Sequence, residues 1–245
     1  MDTISRIELT AYAFDVPDLG LGGHGAMGVS NYEYQKGASL SVKRLAIRIV
    51  TGDGVSGEYG VNWGSTDATF GQICMLAPHL IGRDPETREE IYDDLKRELR
   101  AYDRMGLGPL DIALWDLAGK TYDAPVSRLL GGYRKKIPAY ASTHHGQEAG
   151  GGLESPQAFA DFALHCRDLG YRALKIHGWH NGDVRREIDN SLKMRAAVGD
   201  DMDLMNDPGC QLRTWSDALK LGYALDEAGF LWYEDPYRDA SAAAH

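Results

Sequence analysis

The chain has 245 residues, 43% hydrophobic, 25% charged and 9% aromatic. That is long for one simple domain, although α/β barrels reach this size as single units. A formal net charge of −10 argues against a nucleic-acid partner, which needs clustered Lys and Arg, and no apolar run is long enough to span a bilayer. The start, MDTISRIELT, lacks the basic and apolar regions of a secretory leader. The cysteines Cys74, Cys166 and Cys210 give neither zinc spacing nor a disulfide framework, so a reducing cytoplasm is the expected compartment.

Residues 6–16, RIELTAYAFDV, are rich in strand formers. Residues 17–38 hold many glycines together with Tyr32 and Tyr34, which predicts a long mobile loop. KRLAIRIVTGDGVSGEYGVN then reads as a hairpin turning at Gly52, Asp53 and Gly54, with Glu58 in it as a structural ion-pair partner. Three helical patterns follow. The first covers residues 65–80 from a Ser or Thr cap. The second opens at Asp84-Pro85 and runs to about Tyr102. The third, GPLDIALWDLAGKTYD, spaces Leu110, Ala113, Leu114, Leu117 and Ala118 at helical intervals.

After Gly131 the rhythm becomes strand, helix, strand, helix. Strands are predicted over 137–143, 173–178, 203–208 and 231–236. Helices are predicted from Ser155-Pro156 to Gly170, from Asp183 to Gly199, and from Thr214 to about Gly229. Units of about 30 residues in this alternation predict parallel strands with crossover helices. The expected fold class is α/β: an α+β capping domain over 1–130, then over 131–245 about four βα units, the first half of a (β/α)8-type barrel.

Side chains alternate across a strand. In ALKIHG, Lys175 and His177 therefore share a face. In DLMNDP, Met205 and Asp207 do, and in LWYEDP, Trp232 and Glu234 do. Ionisable groups thus end three successive strands at the tips where barrel enzymes build their active sites. Asp207 and Glu234 on adjacent strands make a hard-oxygen site suited to Mg²⁺. Each alone reads equally well as an acidic residue before a turn proline. Lys175 could instead snorkel from the strand end, and His177 could be a core histidine bonded to backbone. Ser142, His144 and His145 at the first strand's end, and His24 and Tyr34 in the Gly-rich stretch, are candidate substrate contacts, each with a bland rival as loop residues. Trp179 and His180 are expected to pack.

With these motifs in order, the chain resembles the mandelate racemase and muconate lactonizing enzyme family of the enolase superfamily. GLGPLDIALWDLAGKTYDAPVSRLLGG over 106–132 resembles that family's signature helix. ALKIHG resembles its Lys-x-Lys strand, and Asp207 in LMNDP and Glu234 in WYEDP resemble its first two metal ligands. The resemblance implies a Mg²⁺-dependent lyase or isomerase. The metal grips a substrate carboxylate, and a base removes the proton alpha to it, giving an enediolate. It also implies a small sugar-acid or hydroxy-acid substrate and a homo-oligomer. Lys175 would meet the substrate carboxylate and His177 the reacting carbon or its neighbour. Two departures stand out. His177 replaces the second lysine of the motif, which suits elimination of water, because histidine both takes and gives protons near neutrality. The third metal ligand and the distal catalytic pair of the family are not in the sequence, so either a fragment of a longer enzyme or completion by association is expected. A sugar-acid dehydratase is therefore the leading expectation. A racemase, epimerase or cycloisomerase of the same family is the alternative. The rival from a different class is a catalytically incomplete fragment acting at most as an assembly module, and a binding module for small acids is a third reading.

Overall fold

The computed structural model of the protein describes residues 2–24, 30–61, 66–148 and 150–238, with the side chains of 23, 24, 30 and 31 left aside. The described chain forms two compact units. One comprises residues 1–14 and 41–136, the other 15–40 and 137–245.

A sheet of order β1-β2-β3 has β1 at Ile4–His24, β2 at Ser30–Thr51 and β3 at Ser56–Val61, and the first unit contains residues 4–14 of β1, 41–51 of β2 and all of β3. β2 and β3 pair antiparallel, from Leu45↔Val61 to Val50↔Ser56. The predicted turn closes them: the Gly54 N–H donates to the Thr51 carbonyl at 3.0 Å, and Gly54 takes φ 89°, which a Cβ would resist. Period-2 alternation buries Leu45, Ile47 and Ile49. They meet helices α1 (Thr66–Leu76), α2 (Arg88–Glu98) and α3 (Leu107–Thr121) in one cluster that includes Ile73, Ile91, Leu95, Leu110 and Leu114. Gly57 lets α3 approach: a Cβ there would overlap the Ala113 carbonyl and the Leu117 backbone. Glu58 is an ion-pair residue, 2.9 Å from Lys120 Nζ and 3.1 Å from Arg48 Nε.

Three sequence expectations need correction. The Gly-rich stretch is not a loop through its length, since β1 runs to His24 and β2 starts at Ser30. Strand formation at the described ends of this stretch is set by the partner strand rather than by propensity. Asp18 (φ 54°) and Gly37 (φ 79°) both take left-handed conformations, and the Gly37 N–H donates to Asp18 Oδ1 at 2.7 Å. Asp84-Pro85 begins a turn rather than a helix. Asp84 Oδ1 accepts the Glu86 N–H at 2.9 Å, and α2 starts at Arg88 and ends at Glu98. The helical stretch 106–132 is divided, because Asp123 takes φ 48° and Pro125 precedes a short α4 (Val126–Leu129).

The second unit holds the parallel sheet β4-β5-β6-β7: Ala141–Ser142, Ala173–Ile176, Asp203–Asn206 and Trp232–Tyr233. Every pairing is parallel, with Ser142↔Lys175, Lys175↔Met205 and Met205↔Trp232 in lateral register. Crossover helices α5 (Pro156–Asp168), α6 (Val184–Val198) and α7 (Trp215–Glu227) begin where the capping residues predicted. Ser155 Oγ accepts the Ala158 N–H, Asp183 accepts from Arg185 and Arg186, and Thr214 accepts from Asp217. Leu174, Ile176 and Leu204 face outward into Phe159, Ala163 and Met194. That leaves the opposite face of the sheet to Lys175 and its lateral neighbours.

Candidate active site

The strand tips bring the four predicted residues together. Lys175 Nζ donates to Asp207 Oδ2 at 2.8 Å and to Glu234 Oε2 at 3.1 Å. His177 Nε2 lies 3.0 Å from the same Asp207 oxygen. Parallel register does the placing: the Asp207 N–H donates to the Ile176 carbonyl, and the Glu234 N–H to that of Asn206, both at 2.9 Å. Each carboxylate therefore belongs to the residue whose own N–H makes the last parallel bond of its strand.

The cluster is well shielded, with side-chain exposures of 12% for Lys175 and 7% for Asp207, against 39% for Glu234. Burial by itself would raise the Asp207 carboxyl. Hydrogen bonds and charge from His177 and Lys175 outweigh it and hold that carboxyl down at about 2. Burial likewise opposes the Lys175 charge, but its bonds to Asp207 and Glu234 prevail and push it above its ordinary value. Asp207 Oδ1 accepts the Gly209 N–H at 2.9 Å, and Trp232 Nε1 donates to Glu234 Oε2 at 3.1 Å.

His177 is gripped by Thr143. Its main-chain N–H donates to Thr143 Oγ1 at 2.9 Å, and its Nδ1 lies 2.6 Å from the Thr143 carbonyl. A carbonyl only accepts, so Nδ1 carries a hydrogen, and Nε2, on the cluster side, donates to the Asp207 carboxylate here. Sequence reasoning missed Thr143 and chose its neighbour. Ser142 is exposed and lies laterally beside Lys175. The only signal for Thr143 was its position at the end of IPAYAST.

Of the remaining candidates, His145 is buried, with Nδ1 3.1 Å from the Gly178 carbonyl and its ring 5.2 Å from that of His177. Burial, then the neighbouring His180 and His177, lower it to about 3, so it is a neutral imidazole. His144 is exposed, edge-on to Tyr32 at 6.2 Å. Tyr34 donates its main-chain N–H to the His145 carbonyl at 3.3 Å, and its ring lies against Gly152. His24 ends β1, and its side chain lies outside the described residues. His180 does pack, on the His145 ring at 4.1 Å, but it also stands 3.9 Å from Glu33.

Asp207 and Glu234 suit a hard divalent cation in donor chemistry, because they already converge two carboxylate oxygens on one cationic nitrogen. Among the described residues no three His, Cys, Asp or Glu side chains form a metal-holding group, so these two would hold a cation together with oxygens from solvent or substrate.

Comparison with known proteins matches two family models, "Mandelate racemase / muconate lactonizing enzyme, N-terminal domain" over residues 37–131 and "Enolase C-terminal domain-like" over 158–245. Arabinonate dehydratase of Saccharolobus solfataricus is 28% identical over 81% of this chain and 54% of its own length. D-galactarolactone cycloisomerase of Agrobacterium fabrum is 31% identical over 81% of this chain and 53% of its own. The chain thus spans about half the length of the curated relatives it matches. Among solved structures, D-glucarate dehydratase of Agrobacterium tumefaciens complexed with magnesium superposes with a TM-score of 0.80 at 28% identity, covering 99% of this chain and 63% of that one. A dipeptide epimerase of Enterococcus faecalis shares the fold, with a TM-score of 0.75 at 22% identity, over 96% of this chain and 61% of that one.

Proposed function

Because the chain belongs to the mandelate racemase / muconate lactonizing enzyme family, we propose that its strand-tip cluster is the proton-transfer centre of a Mg²⁺-dependent sugar-acid dehydratase. The observation that carries this reading is the convergence of Lys175, His177 and Glu234 on Asp207. Dehydratases of arabinonate, D-xylonate and L-talarate/galactarate among its relatives support the substrate class.

Asp207 and Glu234 would hold the cation. When bound, Mg²⁺ supplies fixed positive charge beside the substrate carboxylate, where negative charge builds as the α-proton leaves. Lys175, released from the carboxylates it bonds here, would turn its ammonium to the same substrate group and add a second positive charge. Thr143 fixes the ring of His177 through Nδ1–H, so Nε2 is the atom at which the proton moves. With Asp207 turned to the cation and its own hydrogen given up to solvent, Nε2 would be the free base that takes the proton from the carbon next to the carboxylate. The same proton then leaves with the hydroxyl of the following carbon as water, and the enol that remains becomes a 2-keto-3-deoxy acid. One imidazole can serve both halves because the same ring nitrogen can accept a proton and then donate it.

The test is to supply the longest natural form of the protein with Mg²⁺ and a panel of sugar acids and to follow 2-keto-3-deoxy products. A dehydrated product that disappears with Asp207→Asn supports the reading. Ring closure or inversion without loss of water would place the chain among the family's cycloisomerases or epimerases instead.

A further inference from the structure

Behind the strand tips, on the helix side of the sheet, lies a carboxyl that the proposed chemistry does not use. Glu187, in the first turn of α6, is 2% exposed. Its Oε1 accepts the main-chain N–H of Trp179 at 2.8 Å, while its Oε2 is buried with no hydrogen-bond partner among the described residues. The fit is close: a Cβ on Gly178 would overlap both carboxylate oxygens. Burying an unpaired carboxyl is costly, and an apolar side chain would fill the volume without that cost.

The peptide that Glu187 holds lies next to His177 in sequence and meets the His145 imidazole through its carbonyl. The Gly178 carbonyl accepts the Gly146 N–H at 3.0 Å and faces His145 Nδ1 at 3.1 Å. Gly178 directly follows His177. On the far side Trp179 Nε1 donates to the Gln147 carbonyl at 3.1 Å, and the Arg186 guanidinium covers the Trp179 ring at 3.7 Å. The first turn of α6 therefore holds Trp179, and residues 177–179 in turn bond residues 143–147.

We propose that Glu187 is a positioning residue, holding the Gly178–Trp179 peptide from behind the sheet and so fixing the imidazoles of His177 and His145 toward the substrate side. The inference rests on the reading of His177 as the proton carrier. Burial pushes the Glu187 carboxyl up to about 7, as expected of a group kept for its place rather than its charge.

The test uses the 245-residue chain without substrate or metal, so it stands or falls separately from whether His177 transfers a proton. Glu187→Leu fills the space without an acceptor, and Glu187→Gln restores one. In Glu187→Leu, the ¹⁵N resonances of the His177 and His145 rings should move, and amide exchange at Trp179 should rise on the order of tenfold, as for a lost buried hydrogen bond. Glu187→Gln should return both to their wild-type positions. A folded Glu187→Leu protein with unchanged imidazole resonances and Trp179 exchange overturns the proposal. If Glu187→Leu does not fold, Glu187→Asp, one methylene too short, makes the same test, and unchanged resonances there overturn it equally. So does a Trp179 amide in the wild type that exchanges as fast as an exposed one.

Discussion

Replacing Lys175 by Met takes away the one ammonium that lies between two converging carboxylates. Nζ is 2.8 Å from Asp207 and 3.1 Å from Glu234. Breaking a fully buried pair costs about 3–5 kcal/mol, whereas an exposed pair is worth about 0–1 kcal/mol. Asp207, at 7% exposure, belongs near the first case and Glu234, at 39%, near the second. His177 also remains beside Asp207 and offsets part of the loss. About 3 kcal/mol is the resulting expectation, which for 150–250 residues lowers Tm by about 6–12 °C. The assay is thermal unfolding of wild type and Lys175→Met in EDTA and again in Mg²⁺. In EDTA the variant should melt lower by that amount. Mg²⁺ should then recover more in the variant than in the wild type, where the ion must displace the ammonium; an ion at 100 times its Kd contributes about 2.7 kcal/mol. A variant within about 2 °C of wild type in EDTA would refute the electrostatic reasoning. Equal Mg²⁺ gains in both proteins would refute the claim that the metal takes the ammonium's place.

Asp207→Asn should remove most Mg²⁺ binding as read by calorimetry, because a neutral amide replaces the better shielded of the two carboxylates; unchanged affinity would assign the metal elsewhere. Asp207 itself, held from 3.8 down to about 2, contributes stability that is present above pH 3.8 and lost as pH falls toward 2, worth about 2 kcal/mol. Denaturant titrations across that range should show it in the wild type and lose it in Asp207→Asn. Glu187 behaves oppositely. Below pH 4.5 its carboxyl is neutral both folded and unfolded, between 4.5 and about 7 only the unfolded chain ionises, and stability therefore falls as pH rises through that window. Glu187→Gln should be more stable than wild type by about 3 kcal/mol at pH 8.5 and equal to it at pH 4, and a constant difference would contradict the burial argument. Leu114→Ala, in the core of the first unit, should cost about 2–5 kcal/mol in denaturant unfolding.

Much of this was legible in the sequence because it is written locally. Ser155, Asp183 and Thr214 cap their helices through their own side chains, and period-2 alternation alone put Lys175 and His177 on one face with Asp207 and Glu234 on the neighbouring strands. What escaped depends on contacts distant in sequence. The Gly-rich stretch 17–38 reads as a loop until the opposite strand is known, since Gly20 lies against Gln35 and only that partner makes it a strand. Thr143 and Ser142 are indistinguishable until the end of β4 at Ser142 is fixed, after which Thr143 is free to turn toward His177. Glu187 looks like an ordinary first-turn acid, favourable at a helix N-terminus. Its burial follows from Gly178, which has no side chain to keep the carboxyl away.

The central claim is that the proton moves at His177 Nε2. The most direct measurement is turnover of a sugar acid by the longest natural form of the protein carrying His177→Asn, with Mg²⁺ saturating. Asparagine keeps a polar group beside Thr143 and Asp207 but cannot carry the proton. Fold and Mg²⁺ affinity should be unchanged, and kcat should fall by about 10²–10⁴. Turnover within a few fold of wild type would show that the proton is moved by another group and that His177 only packs against Thr143 and Asp207.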